Sequence, residues 1–284
     1  ESSYAGPPEC PDLFSWNDWW YLLYSHGLVT HYRMARGPLG PWQRPVVDTL
    51  DGAMAAVMKT APFGSRRRLG VAWVGTREGN LDHGARQWGG ALAFRELTQH
   101  PDGTLGTRFV PEMVPSLHPK LELPMQALTD QTSVTADSAT MTSPLGIEVA
   151  AMSGVPRYAH ITMQIEPNDA HAFGLKLRSS GPFAAGYDLH FSPHEATVSL
   201  AGVALPLVRG LDRAVRLSIV AFDDLIDISV DTGQPGGQRC LINRLPQRTG
   251  DRLFLYAQDG PTRFTEITVR EAGRPPDPRV MEEP

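Results

Sequence analysis

Apolar and polar positions alternate in short runs along most of the chain, and turn-forming residues separate the runs. No window of about 11 to 18 residues sets apolar side chains at i, i+3, i+4 and i+7 between a cap and a glycine, so long helices are not expected. The spacing predicts strands over Leu13–Trp16 and Trp19–Ser25, hinged at Asn17-Asp18, with a third over Leu28–Met34. A second group follows at Ala55–Pro62, Leu69–Gly75, Ala91–Gln99 and Thr104–Val110, and Pro101-Asp102-Gly103 closes its last hairpin.

From Val110 to Ser143 the alternation fades. Pro111, Pro115, Pro119 and Pro124 interrupt the segment, and Pro111–Leu128 reads as a linker lying on the surface between two domains. Past Ser143 strands return at Tyr158–Ile165, Phe173–Arg178, Tyr187–Phe191, Ala196–Leu200, Val215–Ala221, Ile226–Val230, Arg252–Ala257 and Phe264–Val269. Their short, regular spacing without helical crossovers predicts a β-sandwich. The expected layout is therefore an all-β region over 1–110, a linker over 111–143, a sandwich over 144–272 and a flexible, proline-rich tail over 273–284.

Composition narrows the picture. The 284 residues include 25 prolines and 27 glycines but 41% hydrophobic side chains, which suits a packed core and excludes a collagen-like or disordered chain. A formal net charge of −5 gives no electrostatic footprint for nucleic acid, and Arg66-Arg67-Arg68 reads as a solvated turn. No apolar run is long enough for a helical membrane span. Cys10 and Cys240 are too few for a disulfide framework or a zinc cluster and read as free thiols, which leaves secreted and cytoplasmic locations open. His26 with His31, and His190 with His194, do not fall on a helix face, so no metal is expected. No glycine-rich phosphate loop precedes a helix, and no organic cofactor is expected either. The chain opens Glu1-Ser2-Ser3-Tyr4 with neither an initiator methionine nor a leader pattern, and is expected to be a piece of something longer.

The most specific stretch is Glu9-Cys10-Pro11-Asp12-Leu13-Phe14, placed just before the aromatic run Trp19-Trp20-Tyr21-Leu22-Leu23-Tyr24-Ser25. It resembles the Glu-Cys-Pro-Asp signature of glycoside hydrolase family 32, the β-fructosidases that include invertases, levanases and inulinases. Gly70-Val71-Ala72-Trp73-Val74-Gly75 is similar to that family's Gly-Trp strand in the last propeller blade. Trp88-Gly89-Gly90-Ala91-Leu92 with Arg95-Glu96-Leu97 is similar to its closing segment, with Ala93-Phe94 where Leu-Pro is usual. Phe173-Gly174-Leu175-Lys176-Leu177-Arg178 is similar to its C-terminal sandwich.

The resemblance implies the last blades of a five-bladed β-propeller followed by a β-sandwich, and a retaining hydrolase of sucrose-, levan- or inulin-type β-fructofuranosides with Glu9 as general acid/base. It also implies something missing. The family's nucleophile motif (Trp-Met-Asn-Asp-Pro-Asn-Gly-like) and its Arg-Asp-Pro motif both precede the acid/base, and neither occurs here. Trp16-Asn17-Asp18-Trp19 lacks Pro-Asn-Gly, lies after Glu9 and reads as a hairpin turn. The nucleophilic aspartate is thus expected upstream of this chain, with the missing N-terminal portion as a companion.

Individual residues carry competing readings. Glu9 by itself is a solvated loop carboxylate, and the Cys-Pro-Asp context turns it into an acid/base. Asp12 either binds a sugar hydroxyl, orients Glu9 or caps the turn begun by Pro11. Cys10 has no histidine near it in sequence and is expected as a small buried filler beside the substrate. Trp73 and Trp88 either stack on a sugar face or pack in the blade; the two readings are even for Trp73, and packing is the stronger one for Trp88. His83 and Arg86 fall in the loop Thr76–Gln87 and read as plain surface residues. Two further functions compete: a propeller hydrolase of another furanoside such as an arabinofuranoside, and a non-catalytic carbohydrate-binding protein in which Glu9 has no catalytic task.

Overall fold

The computed structural model describes residues 7–114 and 117–273. The expected tail therefore lies outside the described residues, apart from Gly273. Strands dominate, and the described helical structure consists of three single 3₁₀ turns at Glu78–Asn80, Pro111–Met113 and Phe183–Ala185.

The first sheet is an antiparallel meander of β1 (Glu9–Trp16), β2 (Trp19–His26) and β3 (Val29–Ala35). Residues 43–50 run beside the free edge of β3 but touch it as a ladder only at the bridges Met34–Gln43 and His31–Thr49. Pro45 in this segment cannot donate to such a ladder, so in place of a fourth strand the segment makes two bridges. The second sheet has all four: β4 (Ala56–Phe63), β5 (Arg67–Arg77), β6 (Arg86–Gln99) and β7 (Leu105–Arg108), in that order.

These two blades pack face to face. Tyr21, Leu23, Tyr32 and Met34 of the first meet Met58, Ala72, Val74 and Leu97 of the second in one buried cluster. The buried phenols find partners across the gap: Tyr21 donates to the Gly103 carbonyl at 2.6 Å, and Tyr32 accepts from the Leu105 amide at 3.0 Å. Burial pushes the Tyr21 hydroxyl up to about 12, so it stays a neutral donor. Gly103 sits at φ +86° against the Trp19 ring, where a Cβ would overlap the indole, which is why the Asp-Gly turn is needed there.

Beyond Val110 the chain adds β8 (Leu117–Lys120), β9 (Met125–Ala127), β10 (Thr132–Val134), β11 (Ala139–Met141), β12 (Ile147–Met152), β13 (Ala159–Glu166), β14 (Ala172–Ser179) and β15 (Tyr187–Ser192). Then come β16 (Thr197–Leu200), β17 (Val203–Leu205), β18 (Val215–Phe222), β19 (Leu225–Asp231), β20 (Gln238–Arg244), β21 (Arg252–Gln258) and β22 (Thr262–Ala272). One sheet runs β10-β11-β22-β13-β18-β19-β20 with β8 on β22, and the facing sheet runs β17-β16-β15-β14-β21-β12-β9. The proline-punctuated segment after Pro111 thus supplies short strands to both layers, because β8 pairs with β22 and β9 with β12. Alternating side chains such as Ile161, Met163 and Ile165 of β13 meet Leu175, Leu189 and Leu255 between the layers.

Blade and sandwich meet along β20. Its Ile242 enters the blade core while Leu241 enters the sandwich core. The Arg239 guanidinium donates to the Leu50 and Pro206 carbonyls, and Arg244 donates to the Gly75 carbonyl at 2.9 Å. Arg95, 1% exposed, bridges Asp51 of the blade side and Asp227 of β19.

Candidate active site

The Glu-Cys-Pro-Asp stretch forms the start of β1, an edge strand whose ladder partner is β2. Glu9 is paired in register with Ser25 and is exposed. A bulge then interrupts the ladder between Glu9 and Asp12, and Cys10 takes a left-handed φ of 53°. Bulges of this kind re-aim neighbouring side chains.

The other edge of β1 faces β4 across the gap between the blades. Lys59 donates from Nζ to the carbonyls of Cys10 (2.7 Å) and Pro11 (2.8 Å). The Asp12 carboxylate accepts from the Thr60 amide (2.8 Å) and hydroxyl (2.7 Å) through one oxygen, Oδ2. Arg68, paired with Pro62, donates to the Thr60 hydroxyl and lays its guanidinium 3.5 Å from the Phe14 ring centroid. Residues 10, 12 and 14 of β1 therefore match 59, 60 and 62 of β4 in the same order, and the two edge strands run parallel. β4 lies at the opposite edge of its sheet from β7, which together with β5 touches β20 of the sandwich.

Trp73 stands on β5 opposite Ala56, the first residue of β4, and so lies toward the same end of the blades as Glu9. It is gripped from two sides. Arg86 covers its ring at 4.4 Å, and Trp88 lies against it at 4.9 Å with the planes inclined by 31°. Trp88 is itself 81% exposed, so the blade packing expected for it is wrong: it sits in a bulge of the β5–β6 ladder, between the pairs Gly75–Gly90 and Arg77–Arg86, with most of its surface open to solvent.

Three other sequence expectations change. Cys10 is exposed rather than buried, because the bulge turns it out of the ladder, while Cys240 is the buried thiol. Arg66-Arg67-Arg68 is not a solvated turn as a whole. Arg68 is 8% exposed against Phe14, and Arg67 pairs with Glu96 and Glu112. Arg86 is not a plain surface residue, since it holds Trp73 and donates to the Ala53 and Met54 carbonyls. The loop containing it is pinned to the sandwich by Asp82, which accepts from Tyr187 (2.9 Å) and the Gln247 amide (3.2 Å), while His83 remains exposed.

Lys59 and Thr60 were not legible as site residues. In Ala56–Phe63 they occupy one exposed and one half-buried position of an ordinary strand, and only the packing of β4 on β1 gives them partners.

Two antiparallel blades joined edge-on to a two-layer sandwich is the propeller-and-sandwich fold of glycoside hydrolase family 32, as the motifs implied. Among solved structures it is shared with a family-32 glycoside hydrolase from Bifidobacterium adolescentis (15% identity, TM-score 0.58, covering 94% of this chain and 41% of that one). It is also shared with exo-inulinase from Aspergillus awamori (14%, 0.60, 95% and 59%) and fructan 1-exohydrolase IIa from Cichorium intybus (14%, 0.61, 95% and 62%). The chain spans about half the length of these proteins. No protein-family model matches the sequence, and no curated protein does.

Proposed function

We propose that the chain is the C-terminal part of a retaining glycoside hydrolase of β-fructofuranosides of the sucrose, levan or inulin type, with Glu9 as general acid/base. One observation carries the reading: the Glu-Cys-Pro-Asp segment forms a bulged, exposed start to an edge strand, within a fold shared with enzymes of fructan hydrolysis. One of those neighbours, the chicory exohydrolase, has also been solved with 1-kestose.

In such chemistry two carboxyl groups stand about 5 Å apart. A carboxylate nucleophile attacks the anomeric carbon and breaks its bond to the leaving oxygen, which takes the Glu9 proton. Glu9, now a carboxylate, removes a proton from water as that water displaces the enzyme carboxylate and frees fructose. The nucleophile is an aspartate on blades upstream of this chain. Asp12 and Cys10 flank Glu9 on the rim of the sugar site, and Trp73, whose ring Arg86 and Trp88 cover, borders it with the exposed Trp88 as the open aromatic face.

In the enzyme restored with its upstream blades, Glu9→Gln is expected to lower kcat on sucrose or inulin by about 10²–10⁴-fold, measured as reducing-sugar release. Unchanged turnover removes Glu9 from the chemistry. The 284-residue chain alone is expected to release no fructose, and turnover by it would place the nucleophile within it. The exposed Trp88 beside Trp73 favours a second reading, a non-catalytic fructan-binding surface. That reading predicts retention of the chain on an inulin column, lost in Trp88→Ala, with no carboxylate motif encoded upstream.

A further inference from the structure

The start of β1 is held in a conformation that its own ladder does not enforce. Pairing with β2 breaks at the bulge just after Glu9, and Cys10 adopts a left-handed φ of 53° that an L-residue with a Cβ takes up only against a steric cost. Such geometry persists when surrounding contacts over-determine it, and here those contacts come from the neighbouring blade. Lys59 reaches from β4 and caps two successive carbonyls at 2.7 and 2.8 Å. The adjacent Thr60 takes the Asp12 carboxylate with both its amide and its hydroxyl. Two consecutive residues of one strand thus fix the three residues that follow Glu9.

An exposed lysine gives up rotamer freedom when it is held in one place. Two charge-assisted hydrogen bonds to main-chain oxygen offset that loss. Their consequence is geometric: residues 10 and 11 are clamped against β4, and the Glu9 carboxylate departs from a fixed backbone. Displacement of a reacting group by about 1 Å costs on the order of 100-fold in rate.

We propose that Lys59 is a positioning residue that holds the Glu9 carboxyl in place for proton donation to the leaving oxygen. The proposal rests on the acid/base reading of Glu9 given above. Lys59 itself does not touch the substrate in this assignment.

The test compares two substrates in the enzyme restored with its upstream blades. Sucrose needs a protonated leaving oxygen, whereas β-fructosyl fluoride loses fluoride without an acid. Lys59→Met is expected to lower kcat/KM on sucrose by about 10–100-fold and on the fluoride by less than about 3-fold. Lys59→Arg, which keeps two donors and the charge, is expected to recover most of the loss. Equal losses on both substrates, or no loss, overturn the proposal.

Glu9→Gln in the same assay separates the two levels. If Glu9→Gln also fails to discriminate between the substrates, the acid/base reading falls and takes this one with it. If Glu9→Gln discriminates and Lys59→Met does not, the role of Lys59 alone is wrong. In the 284-residue chain itself, hydrogen exchange of the peptide spanning Glu9–Trp16 is expected to quicken in Lys59→Met and stay unchanged in Lys59→Arg. Equal exchange in all three proteins removes the clamp.

Discussion

Between the sheets of the sandwich, Leu175, Leu189, Ile219 and Val230 lie in one apolar cluster, with Phe173 and Phe191 stacked at 4.9 Å. A few residues away along β19 and β20, the joint with the blade is just as enclosed and is built from charge. Arg95 lies between Asp51 (2.5 Å) and Asp227 (2.8 Å), Arg239 is 1% exposed, and Arg77 donates to Asn243 at 2.9 Å. Burial pushes the Asp227 carboxyl up to about 6 even with the Arg95 guanidinium opposing it. An apolar core tolerates small shifts of one sheet over the other, because dispersion has little direction. Hydrogen-bonded charges do not, since each has a fixed set of donors and acceptors. The sandwich interior therefore supplies burial, and the joint supplies a single docking geometry for the blade that carries Trp73 and Lys59.

The largest expected effect sets these two regions directly against each other. Arg95→Met strands Asp51 and Asp227 and is expected to cost about 3–5 kcal/mol in denaturant unfolding. Leu189→Ala in the sandwich is expected to cost about 3 kcal/mol. The two should also differ in kind: Arg95→Met splits unfolding into separate blade and sandwich transitions, and Leu189→Ala leaves the transitions as they were. A single, undivided transition in Arg95→Met means that apolar contacts alone dock the blade. Replacing Asp51, Arg95 and Asp227 together by apolar residues of similar volume should be close to neutral, because no charge is then left unpaired.

A smaller effect separates pH responses. Burial raises the Asp48 carboxyl, but His31, Arg33 and Arg44 overcome that and bring it down to about 2. A carboxyl lowered on folding stabilises above its unfolded value and loses that stability as pH falls through the folded one. The first blade is thus expected to lose about 2 kcal/mol between pH 4 and pH 2. In urea melts across that window, Asp48→Asn should flatten the dependence. An unchanged slope assigns the acid sensitivity elsewhere. The smallest effect belongs to the exposed Arg157–Asp223 pair at 2.8 Å, where Arg157→Ala should cost less than about 1 kcal/mol in the same melts.

Strands were legible wherever one face met the core and the other met water. Val215–Phe222 and Leu225–Asp231 alternate cleanly, and their registers follow the alternation. Two heavily buried strands, β12 and β20, were not legible, although β21, buried on both faces, was. β12 has Ala150 and Met152 in the sandwich core while Val149 and Ala151 lie under Phe183 on the outer face, so no alternation survives. β20 reads Gln-Arg-Cys-Leu-Ile-Asn-Arg, too polar for a core strand, because its charged side chains are satisfied by carbonyls and carboxylates of the blade and of neighbouring loops. β8 to β11 are three or four residues each, shorter than any periodicity can mark.

The sequence by itself determined the all-β class, the hairpins at Asn17-Asp18 and Asp102-Gly103, and the position of Glu-Cys-Pro-Asp at the entry to a strand. Those features depend on local turn chemistry and on which side chains prefer a pleated, half-buried surface. Tertiary structure alone decided that Cys10 faces outward, that Arg68 is buried on Phe14, and that Lys59 and Thr60 grip the backbone beyond Glu9. The last two join residues about 50 positions apart across a gap between two sheets, and a gap of that kind has no period in the chain; its register is set by how the blades stack.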